Sequence, residues 1–567
     1  MKKIVSSLLL LALAVAVNAQ DLHIVTTGDV HGSYFSRSYV GDNPRNSLMS
    51  VKYYVDSLRA VVGPDNVILL DAGDCLQGDN ASYYFNYVAM DKPHIYPRIA
   101  AYMGYDACTV GNHDIEAGHP VYDKVKAELE ASGIPWLAGN AFREDGSCYF
   151  QEYTIINKGG KRVLVAGYNN ANIDGWLSEE LWEGMHHESL VPLVRKRIKE
   201  LRRKLRPDVV IVVLHSGTGK GDNESLESQG LDVFKFIKGV DVLVTAHDHQ
   251  PACIYANKGK SWLINGGARC SNVGHAVLHF QKGRLKAAEG EIRRLDRNKV
   301  DAAMIKAFRP EFEAVKAFTM QPVGSLEIPL KTRDGYAGMC PYIDMIHTVQ
   351  LAASGAQISL AAPLTFNGYV SSGQLIYNDM FTIYPYENQL YVLELTGREV
   401  KNLLEYSYDR WIRLEDGHVL FIKDMPDART GASKWSFVNR SYNFDSAAGI
   451  SYTVDVTKPC GNRVNIMSLA DGTPFDLDSK YTVAMTSYRA NGGGGLLTEG
   501  AGIQHSGLEE RIIARYPEVR DLLYKFISSH VSIGPSQFSN RAVLGSWHFV
   551  PEEVVEPLMK KDMDLVF

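Results

Sequence analysis

Short runs of apolar, β-branched residues recur through the first half of the chain, and most of them end at a group of polar residues. Four of these runs span residues 23–27, 67–70, 209–214 and 240–245. Each has the length and composition of a buried strand. The pattern therefore predicts a sheet whose strands end at positions that carry chemically active side chains.

The polar groups follow these runs in a fixed order. They are Asp29-Val30-His31, Gly73-Asp74, Gly111-Asn112-His113-Asp114, His215 and His247-Asp248-His249. Because open α/β sheets bind ligands at the carboxyl ends of their strands, we expect these side chains to converge on one crevice. Oxygen and nitrogen donors without a thiolate suit hard to borderline divalent metal ions.

The rest of the chain changes character twice. Residues 286–318 place apolar side chains at helical spacing with charges on the other faces, which predicts a helical linker. From Pro322 onward tyrosine becomes frequent and strand and turn signals dominate, although residues 397–405 form a clear amphipathic helical pattern. The expected segments are a metal-binding domain, a helical linker, a second domain and a surface tail rich in Glu, Lys and Asp, at residues 20–290, 291–321, 322–547 and 548–567.

Composition sets broad limits on the fold and on partners. At 567 residues, with 45% hydrophobic and 22% charged residues, the chain is an ordinary globular protein too long for one core. A formal net charge of −6 leaves no basic stripe of the kind that binds duplex nucleic acid. Small anionic substrates are still compatible, because bound metal ions would set the local field.

The first 19 residues have the pattern of a signal peptide. Lys2-Lys3 precedes an apolar run over residues 4–17, and Val17-Asn18-Ala19 provides a small-residue cleavage site. An N-terminal membrane anchor is the alternative, but the run is too short to span a bilayer. We expect an exported protein, periplasmic or secreted, without a transmembrane anchor; the oligomeric state is open, with a monomer favoured.

Seven cysteines are spread thinly along the chain without C-x-x-C spacing. This argues against a structural zinc site or a disulfide scaffold. One bridge in an oxidising compartment is an option, with Cys253 and Cys270 as the nearest pair. Most of the cysteines are expected to be buried small hydrophobic residues.

The order of the polar groups resembles that of the calcineurin-like metallophosphoesterases, D-x-H, G-D, G-N-H-[DE], H and G-H-x-H. One departure is Ala246, which stands where that family usually has Gly before the H-x-H. The resemblance implies an α/β fold, a four-layer αββα sandwich that binds two divalent metal ions. Mn, Zn, Fe and Co all bind His, Asp and Asn ligands, so the ligand set leaves the identity of the two metal ions open.

The resemblance also assigns seven ligands. One ion takes Asp29, His31, Asp74 and His249, and the other takes Asp74, Asn112, His215 and His247. A shared carboxylate suits two cations about 3.5–4 Å apart, which clamp the attacking and leaving oxygens and supply a hydroxide from a bridging water. Taken singly, Asp29 could be a helix cap and His215 a core histidine.

His113 adjoins Asn112 but is not counted among the ligands. In the resembled family it contacts the substrate phosphate and protonates the leaving oxygen. A carboxylate three residues on orients it, and this chain has Glu116 there where the best-known nucleotidases have Asp. We expect Glu116 to orient His113, with Asp114 as the alternative.

The second half resembles the C-terminal domain of secreted nucleotidases, through residues 383–390 with 395–397 and residues 487–495. In that family each stretch contributes an aromatic ring, and the two rings sandwich the base. Tyr386 and Tyr488 fall on those positions, and base stacking is worth about 1–3 kcal/mol.

Two asparagines complete the predicted substrate site. Asn388 falls on a base- or ribose-contacting position, and Asn491 is a further expected contact. The alternative is that the tyrosines merely pack between strands. The glycine run after Tyr488 favours a binding role, because glycine lets the backbone approach a ligand.

Two departures divide the nucleotidases. Residues 361–368 carry no Arg where 5′-nucleotidases have G-G-x-R, and Gly494 stands where they have an Asp on the ribose hydroxyls. The chain looks closer to the bifunctional 2′,3′-cyclic-nucleotide 2′-phosphodiesterase/3′-nucleotidases. These share an A-A-P stretch, a Y-R-A-x-G-G-G stretch and a segment like residues 442–456.

We therefore expect an exported dimetal phosphoesterase that hydrolyses 2′,3′-cyclic nucleotides and 3′-nucleotides to nucleoside and phosphate. Its sandwich would be joined by the helical linker to an α+β nucleotide-binding domain. One alternative is a 5′-nucleotidase or nucleotide-sugar hydrolase that uses the same centre. Another is a nucleotide-binding protein with an inactive site.

Overall fold

The computed structural model describes residues 21–256, 260–426 and 432–567. The chain divides into two units, the first comprising residues up to Asp174 with Ser178–Phe318 and the second comprising Gly175–Leu177 with Thr319–Phe567. The predicted signal peptide at residues 1–19 lies outside the described residues. Within those residues, no helix combines the length and the apolar character needed to cross a membrane.

Two six-stranded mixed sheets form the first unit, and their orders are β14-β13-β1-β2-β3-β4 and β11-β12-β10-β9-β7-β6. Within each sheet the central strands run parallel. The strands of the unit are β1 Leu22–Thr27, β2 Val67–Asp71, β3 Ala107–Thr109, β4 Trp136–Leu137, β5 Ala141–Phe142, β6 Tyr153–Lys158, β7 Lys161–Tyr168, β8 His186–His187, β9 Val209–Leu214, β10 Val242–Thr245, β11 Ala252–Ala256, β12 Ser261–Asn265, β13 Asn272–Gln281 and β14 Arg284–Arg294. The four strands predicted from apolar runs are β1, β2, β9 and β10.

The two sheets pack face to face with helices on their outer faces. Ile24, Ile68 and Ile211 belong to one buried cluster between the sheets, whereas Val210 and Val212 face the helix at Leu190–Leu205. Strands buried on both faces read as continuous apolar runs, as observed. The longer helices are Leu48–Val62, Ile95–Met103, His119–Ala131, Leu190–Leu205, Gly230–Phe236, Ala302–Ala307 and Arg309–Thr319. The expected αββα sandwich is confirmed.

The predicted linker is partly wrong. Residues 284–294 are a strand, β14, which forms an antiparallel hairpin with β13. Within the predicted linker, the first helix begins at Ala302. The second helix, Arg309–Thr319, packs Phe312 against Phe35 and Tyr39. The spacing of apolar residues along β14 resembles a helical pattern. The segment forms a strand because its backbone hydrogen-bonds with β13.

The second unit has a five-stranded sheet in the order β25-β17-β28-β20-β29 and a three-stranded sheet in the order β27-β26-β30. Its other strands form two-stranded ribbons. The strands are β15 Pro322–Leu326, β16 Leu330–Lys331, β17 Ile358–Ala361, β18 Tyr369–Val370, β19 Gly373–Ile376, β20 Gln389–Thr396, β21 Ile412–Glu415, β22 His418–Leu420, β23 Ile422–Asp424, β24 Trp435–Phe437, β25 Ser446–Ala448, β26 Ile450–Asp455, β27 Val464–Leu469, β28 Lys480–Thr486, β29 Ile512–Glu518 and β30 Trp547–Val550.

The longer helices of this unit are Pro341–Ser354, Tyr377–Ile383, Gly397–Trp411, Val519–Ser528 and Glu552–Val566. The predicted amphipathic helix begins at Gly397, because Thr396 and Glu399 form a reciprocal capping box. The Thr396 N–H donates to Glu399 Oε2 over 2.7 Å. Leu403 and Leu404 on this helix are fully buried in the core of the unit.

The prediction of a surface tail at residues 548–567 is wrong. Most of β30 lies in this segment and pairs with β26, and the helix Glu552–Val566 buries Val555 and Met559 in the core. Asp562 is fully buried. The charges of the segment occupy one face of a helix whose other face is apolar, so composition alone does not show its burial.

All seven cysteines are described and all are free. The bridge between Cys253 and Cys270 that the sequence left open is not formed. Cys75, Cys108 and Cys340 are buried, in agreement with a packing role.

We predict that Asp562→Ala destabilises the second unit. Its carboxylate accepts the Val419 and Leu420 backbone N–H groups over 2.7 and 2.8 Å. Each buried donor left without a partner costs about 1–3 kcal/mol. Denaturant unfolding followed by tryptophan fluorescence measures the loss. Asp564→Ala, at an exposed position of the same helix, is the control; equal unfolding midpoints for the two variants would contradict the prediction.

Candidate metal centre and substrate site

The predicted ligands lie at the carboxyl ends of parallel strands from both sheets of the first unit. Asp29 and Asp74 follow β1 and β2, Asn112 follows β3, and His215 and His247 follow β9 and β10. Each strand is buried and pinned by its neighbours, so the position of its last residue is fixed. The convergence predicted from the strand ends is therefore present.

One group of ligand atoms comes from Asp29, His31 and His249, and these atoms all lie within 4.8 Å of one another. His31 Nε2 is 2.9 Å from His249 Nε2, and His249 Nε2 is 3.7 Å from Asp29 Oδ1. Asp29 and His31 are buried, while His249 is partly exposed. The group is thus open on one side.

Asp74, His215 and His247 form a second such group. His215 Nε2 lies 3.0 Å from Asp74 Oδ2. Asn112 Oδ1 completes the group, since it lies 2.8 Å from His247 Nδ1 and 3.1 Å from His215 Nε2. All seven predicted ligands therefore fall into two adjoining sets.

The backbone at the ligands adopts an unusual conformation. Five of the seven have a positive φ, a region that residues other than glycine seldom occupy. They are Asp29 at 49°, His31 at 47°, Asp74 at 60°, His247 at 75° and His249 at 58°. Such conformations persist only where the surrounding structure holds them, and they cluster at functional sites.

Asp114 is a structural residue of the site whose role the sequence did not reveal. Its buried carboxylate accepts the backbone N–H groups of Gly111, Asp74, Cys75 and Leu76 over 2.8–3.0 Å. It therefore ties the loop after β2 to the loop after β3. A Cβ at Gly111 would lie only 2.1 Å from Asp74 Oδ1, so that position requires glycine.

His113 contacts Glu116 rather than Asp114. Its Nδ1 forms a short hydrogen bond with Glu116 Oε2, and its ring lies 5.5 Å from that of His31. Asp114 is fully engaged by backbone donors, so the alternative orienter proposed from the sequence has another task. The structure thus brings the predicted pair of His113 and Glu116 together beside the ligands.

The electrostatics leave most of the imidazoles neutral. Burial lowers the pKa of His31 well below its ordinary value and lowers those of His247 and His249 to about 3 and about 4. For His215, burial opposes protonation, but the Asp74 carboxylate outweighs it and raises the pKa to about 9. Asp74 is also buried, yet the His215 imidazole holds its pKa well below its ordinary value.

These features fit a pair of divalent cations. The Asp74 carboxylate is buried, with the His215 imidazole beside its Oδ2, and burial raises the pKa of Asp29 well above its ordinary value. Buried carboxylates of this kind are compensated by positive charge. Neutral imidazoles, carboxylates and one amide oxygen are suitable donors for such ions.

The predicted substrate residues lie at one end of the five-stranded sheet of the second unit. Asn388 and Tyr386 precede β20, and Tyr488 follows β28. The two strands are antiparallel with Leu390 opposite Thr486, so the start of β20 and the end of β28 lie at the same end of the sheet. The sheet register thus places the predicted stacking residues on neighbouring segments.

Asn491 and the glycine run have partners within the protein. The Asn491 side chain donates to the Trp176 carbonyl over 2.8 Å. A Cβ at Gly493 would lie 2.4 Å from the Tyr488 ring, and one at Gly494 would lie 2.3 Å from an Arg489 nitrogen. Glycine is therefore required at these positions for the loop to close on its own side chains.

Comparison with known proteins agrees with this architecture. Residues 22–251 match the family model described as calcineurin-like phosphoesterase, and residues 320–499 match that of the 5′-nucleotidase C-terminal domain. Together the two matches cover more than half of the chain. The fold and the paired ligand groups define a two-domain metallophosphoesterase.

The chain belongs to the family of calcineurin-like phosphoesterases that carry a 5′-nucleotidase-type C-terminal domain. The trifunctional nucleotide phosphoesterase protein YfkN of Bacillus subtilis is 23% identical, over 92% of this chain but only 39% of YfkN. The 2′,3′-cyclic-nucleotide 2′-phosphodiesterase/3′-nucleotidase of Salmonella typhimurium is 23% identical, over 87% of this chain and 85% of that relative.

Two solved structures share the fold. A protein from Staphylococcus aureus assigned as a 5′-nucleotidase superposes with a TM-score of 0.77 at 20% identity, covering 93% of this chain and 99% of that one. The 5′-nucleotidase precursor from Thermus thermophilus gives a TM-score of 0.62 at 20% identity, covering 94% and 100%. At these identities the likeness concerns the fold alone.

We predict that Asp74→Asn abolishes metal retention and activity without unfolding the chain. The change removes the negative charge of a buried carboxylate within the second ligand group, so cation affinity falls. Metal content after dialysis against Mn²⁺, measured by elemental analysis, tests this. Asp65→Asn, at an exposed position before β2, is the control. Retention of both wild-type metal content and more than a tenth of wild-type activity would contradict the assignment.

Proposed function

We propose that this protein is an exported dimetal phosphoesterase that releases phosphate from nucleotides, with 2′,3′-cyclic and 3′-nucleotides preferred over 5′-nucleotides. The observation that carries the proposal is the convergence of two complete ligand groups beside the pair of His113 and Glu116. The second unit supplies tyrosines at one sheet edge, which suits recognition of a flat base. Relatives named as nucleotide phosphoesterases support the same substrate class.

The residues of both groups would hold two divalent cations from among Mn, Zn, Fe and Co. When bound, such ions stabilise charge on the phosphate and activate the attacking water. Asp29, Asp74 and the imidazoles would then hold the two ions in fixed positions. Asp114 keeps the Asp74 loop in place through its backbone donors.

His113 is the residue positioned to protonate the leaving oxygen. Glu116 accepts a hydrogen bond from His113 Nδ1, which fixes the orientation of the imidazole. As a general acid, His113 would donate a proton from its other ring nitrogen to the leaving oxygen. The ring lies beside His31, so the acid stands next to the reacting centre.

We predict that His113→Ala keeps its metals but loses activity. A positioned acid contributes about 10²- to 10⁴-fold, and the loss should be smaller for nitrophenyl phosphate, whose leaving group needs no proton. Glu116→Gln should cost less, because only the orientation of the imidazole is disturbed. His119→Ala, on the next helix, is the control. Equal losses on good and poor leaving groups would mean that His113 binds phosphate instead.

The preference for 3′- and cyclic phosphates rests on the second unit. Gly494 has φ of 74°, and a Cβ there would lie 2.4 Å from Asn443 Oδ1. A ribose-gripping carboxylate at this position therefore has no room in this loop. A 3′- or 2′-phosphate turns the ribose around in the site, and the missing carboxylate is consistent with that orientation.

Two alternatives follow from the same features. Relatives from Vibrio are named 5′-nucleotidases, so 5′-nucleotide or nucleotide-sugar hydrolysis is the second candidate. A nucleotide-binding protein with an inactive site is the third. It would have no need for all seven ligands together with the pair of His113 and Glu116.

A phosphate-release panel with added Mn²⁺ separates these functions. The substrates are 2′,3′-cyclic AMP, 3′-AMP, 5′-AMP and UDP-glucose, and we expect the highest kcat/KM for the first two. A higher value for 5′-AMP would favour the second candidate. No release from any nucleotide, with or without other divalent ions, would favour the third.

Base stacking makes a separate prediction. Tyr488→Ala should raise KM for nucleotides roughly 10- to 100-fold, from about 1–3 kcal/mol of lost stacking. Nitrophenyl phosphate, which has little to stack, should be unaffected. Tyr369→Ala, which removes an exposed tyrosine of the same unit, is the control. An unchanged KM for nucleotides would assign Tyr488 to packing alone.

Export is proposed from the pattern of residues 1–19. N-terminal sequencing of the protein recovered from the extracellular or periplasmic fraction tests it. A mature chain that begins at or near Gln20 would support export, and an intact Met1 in the cytoplasmic fraction would contradict it.

A further inference from the structure

A buried ion pair lies directly behind the loop that carries Tyr488. Arg489 and Asp445 are each only 3% exposed. Arg489 Nε donates to Asp445 Oδ2 over 2.9 Å, and Nη2 donates to Oδ1 over 2.8 Å. This bidentate pair joins helix Ser487–Ala490 to the segment before β25, and its planar geometry fixes the guanidinium rigidly.

The third guanidinium nitrogen of Arg489, Nη1, forms hydrogen bonds with two further residues. Arg489 Nη1 donates to the Gly493 carbonyl in a short hydrogen bond and to Asn443 Oδ1 over 3.2 Å. A single buried side chain thus connects the glycine run after Tyr488 with Asn443. The glycine run and the 441–445 segment are far apart in the sequence but adjacent here.

This contact decides which way the Asn443 amide points. Arginine has donors and no acceptor, so the amide oxygen must face Arg489 and the NH₂ group must face away. Asn443 is only partly buried, and within the described parts of the chain its Nδ2 donates to no other residue. The side chain therefore presents an oriented donor at the surface of the loop.

Asn443 also lies beside the predicted stacking residues. Its Oδ1 would be 2.4 Å from a Cβ at Gly494, and a Cβ at Gly493 would touch the Tyr488 ring. The Arg489 guanidinium lies 5.4 Å from the centre of that ring. On the other side, Ser441 Oγ, two residues before Asn443, is 3.1 Å from the Tyr336 hydroxyl.

We propose that Asn443 is a further substrate-binding residue, whose amide NH₂ donates to an acceptor atom of the nucleoside part of the substrate, and that Arg489 and Asp445 position it. The inference rests on the proposed function, because it needs a nucleotide at the Tyr488 loop. An NH₂ donor is neutral, so it recognises base or ribose acceptors without adding charge.

Two substitutions separate binding from a merely structural role. Asn443→Ala removes the donor and also the contact to Arg489. Asn443→Asp keeps an acceptor for Arg489, and strengthens that contact with charge, but presents no donor. A structural role predicts that only the alanine variant is affected, whereas a binding role predicts that both are.

The readouts are KM for 3′-AMP, KM for nitrophenyl phosphate, and inhibition by adenosine. Both variants should raise KM for 3′-AMP and the inhibition constant of adenosine by about 2- to 12-fold, the loss expected for one neutral hydrogen bond. Nitrophenyl phosphate should be unchanged in both. Because adenosine is uncharged, its weaker binding to Asn443→Asp cannot come from charge repulsion.

Asn465→Asp, at an exposed position on β27, controls for added surface charge, and thermal unfolding of every variant checks folding. Unchanged adenosine inhibition in either variant would overturn the proposal. If the wild-type enzyme released no phosphate from any nucleotide, the proposed function itself would fail, and adenosine binding measured directly would still test Asn443.

Discussion

The arrangement of the metal centre in the first unit depends on one constraint, which is that the negative charge of the buried Asp74 carboxylate must be compensated. The carboxylate lies at the end of a buried strand, within 3.0 Å of His215, and its Oδ1 accepts the His113 N–H over 2.9 Å. A charge in such a place is stable only if positive groups surround it. The neighbouring ligands and the two cations that they would hold supply that charge.

Several local features are consequences of holding this carboxylate in position. Asp114 binds the backbone on both sides of the crevice, and Gly111 must be glycine because Asp74 occupies the space of its Cβ. The left-handed backbone at five ligands aims their side chains into the crevice at a cost in conformational energy. The rigid strands behind them, buried on both faces, keep that arrangement in place.

In the second unit, too, one buried charged residue fixes the positions of several groups. Arg489 is buried against Asp445, and from there it fixes the glycine run and the Asn443 amide. Two sequence stretches that resemble one nucleotidase subfamily, residues 442–456 and 487–495, are thus joined by one ion pair. The pair gives a physical reason for their occurrence together.

The sequence by itself predicted four inner strands of the sandwich and the helix at Gly397 from local periodicity, and it placed the candidate ligand residues directly after strands. The tertiary structure decided the rest. Residues 284–294 became a strand because β13 offered a partner, and the charged C-terminal segment became a core helix because its apolar face met a hydrophobic cluster. The roles of Asp114 and Arg489 were likewise hidden. Each acts through hydrogen bonds to residues remote in the chain, and such contacts exist only once the fold has brought those segments together.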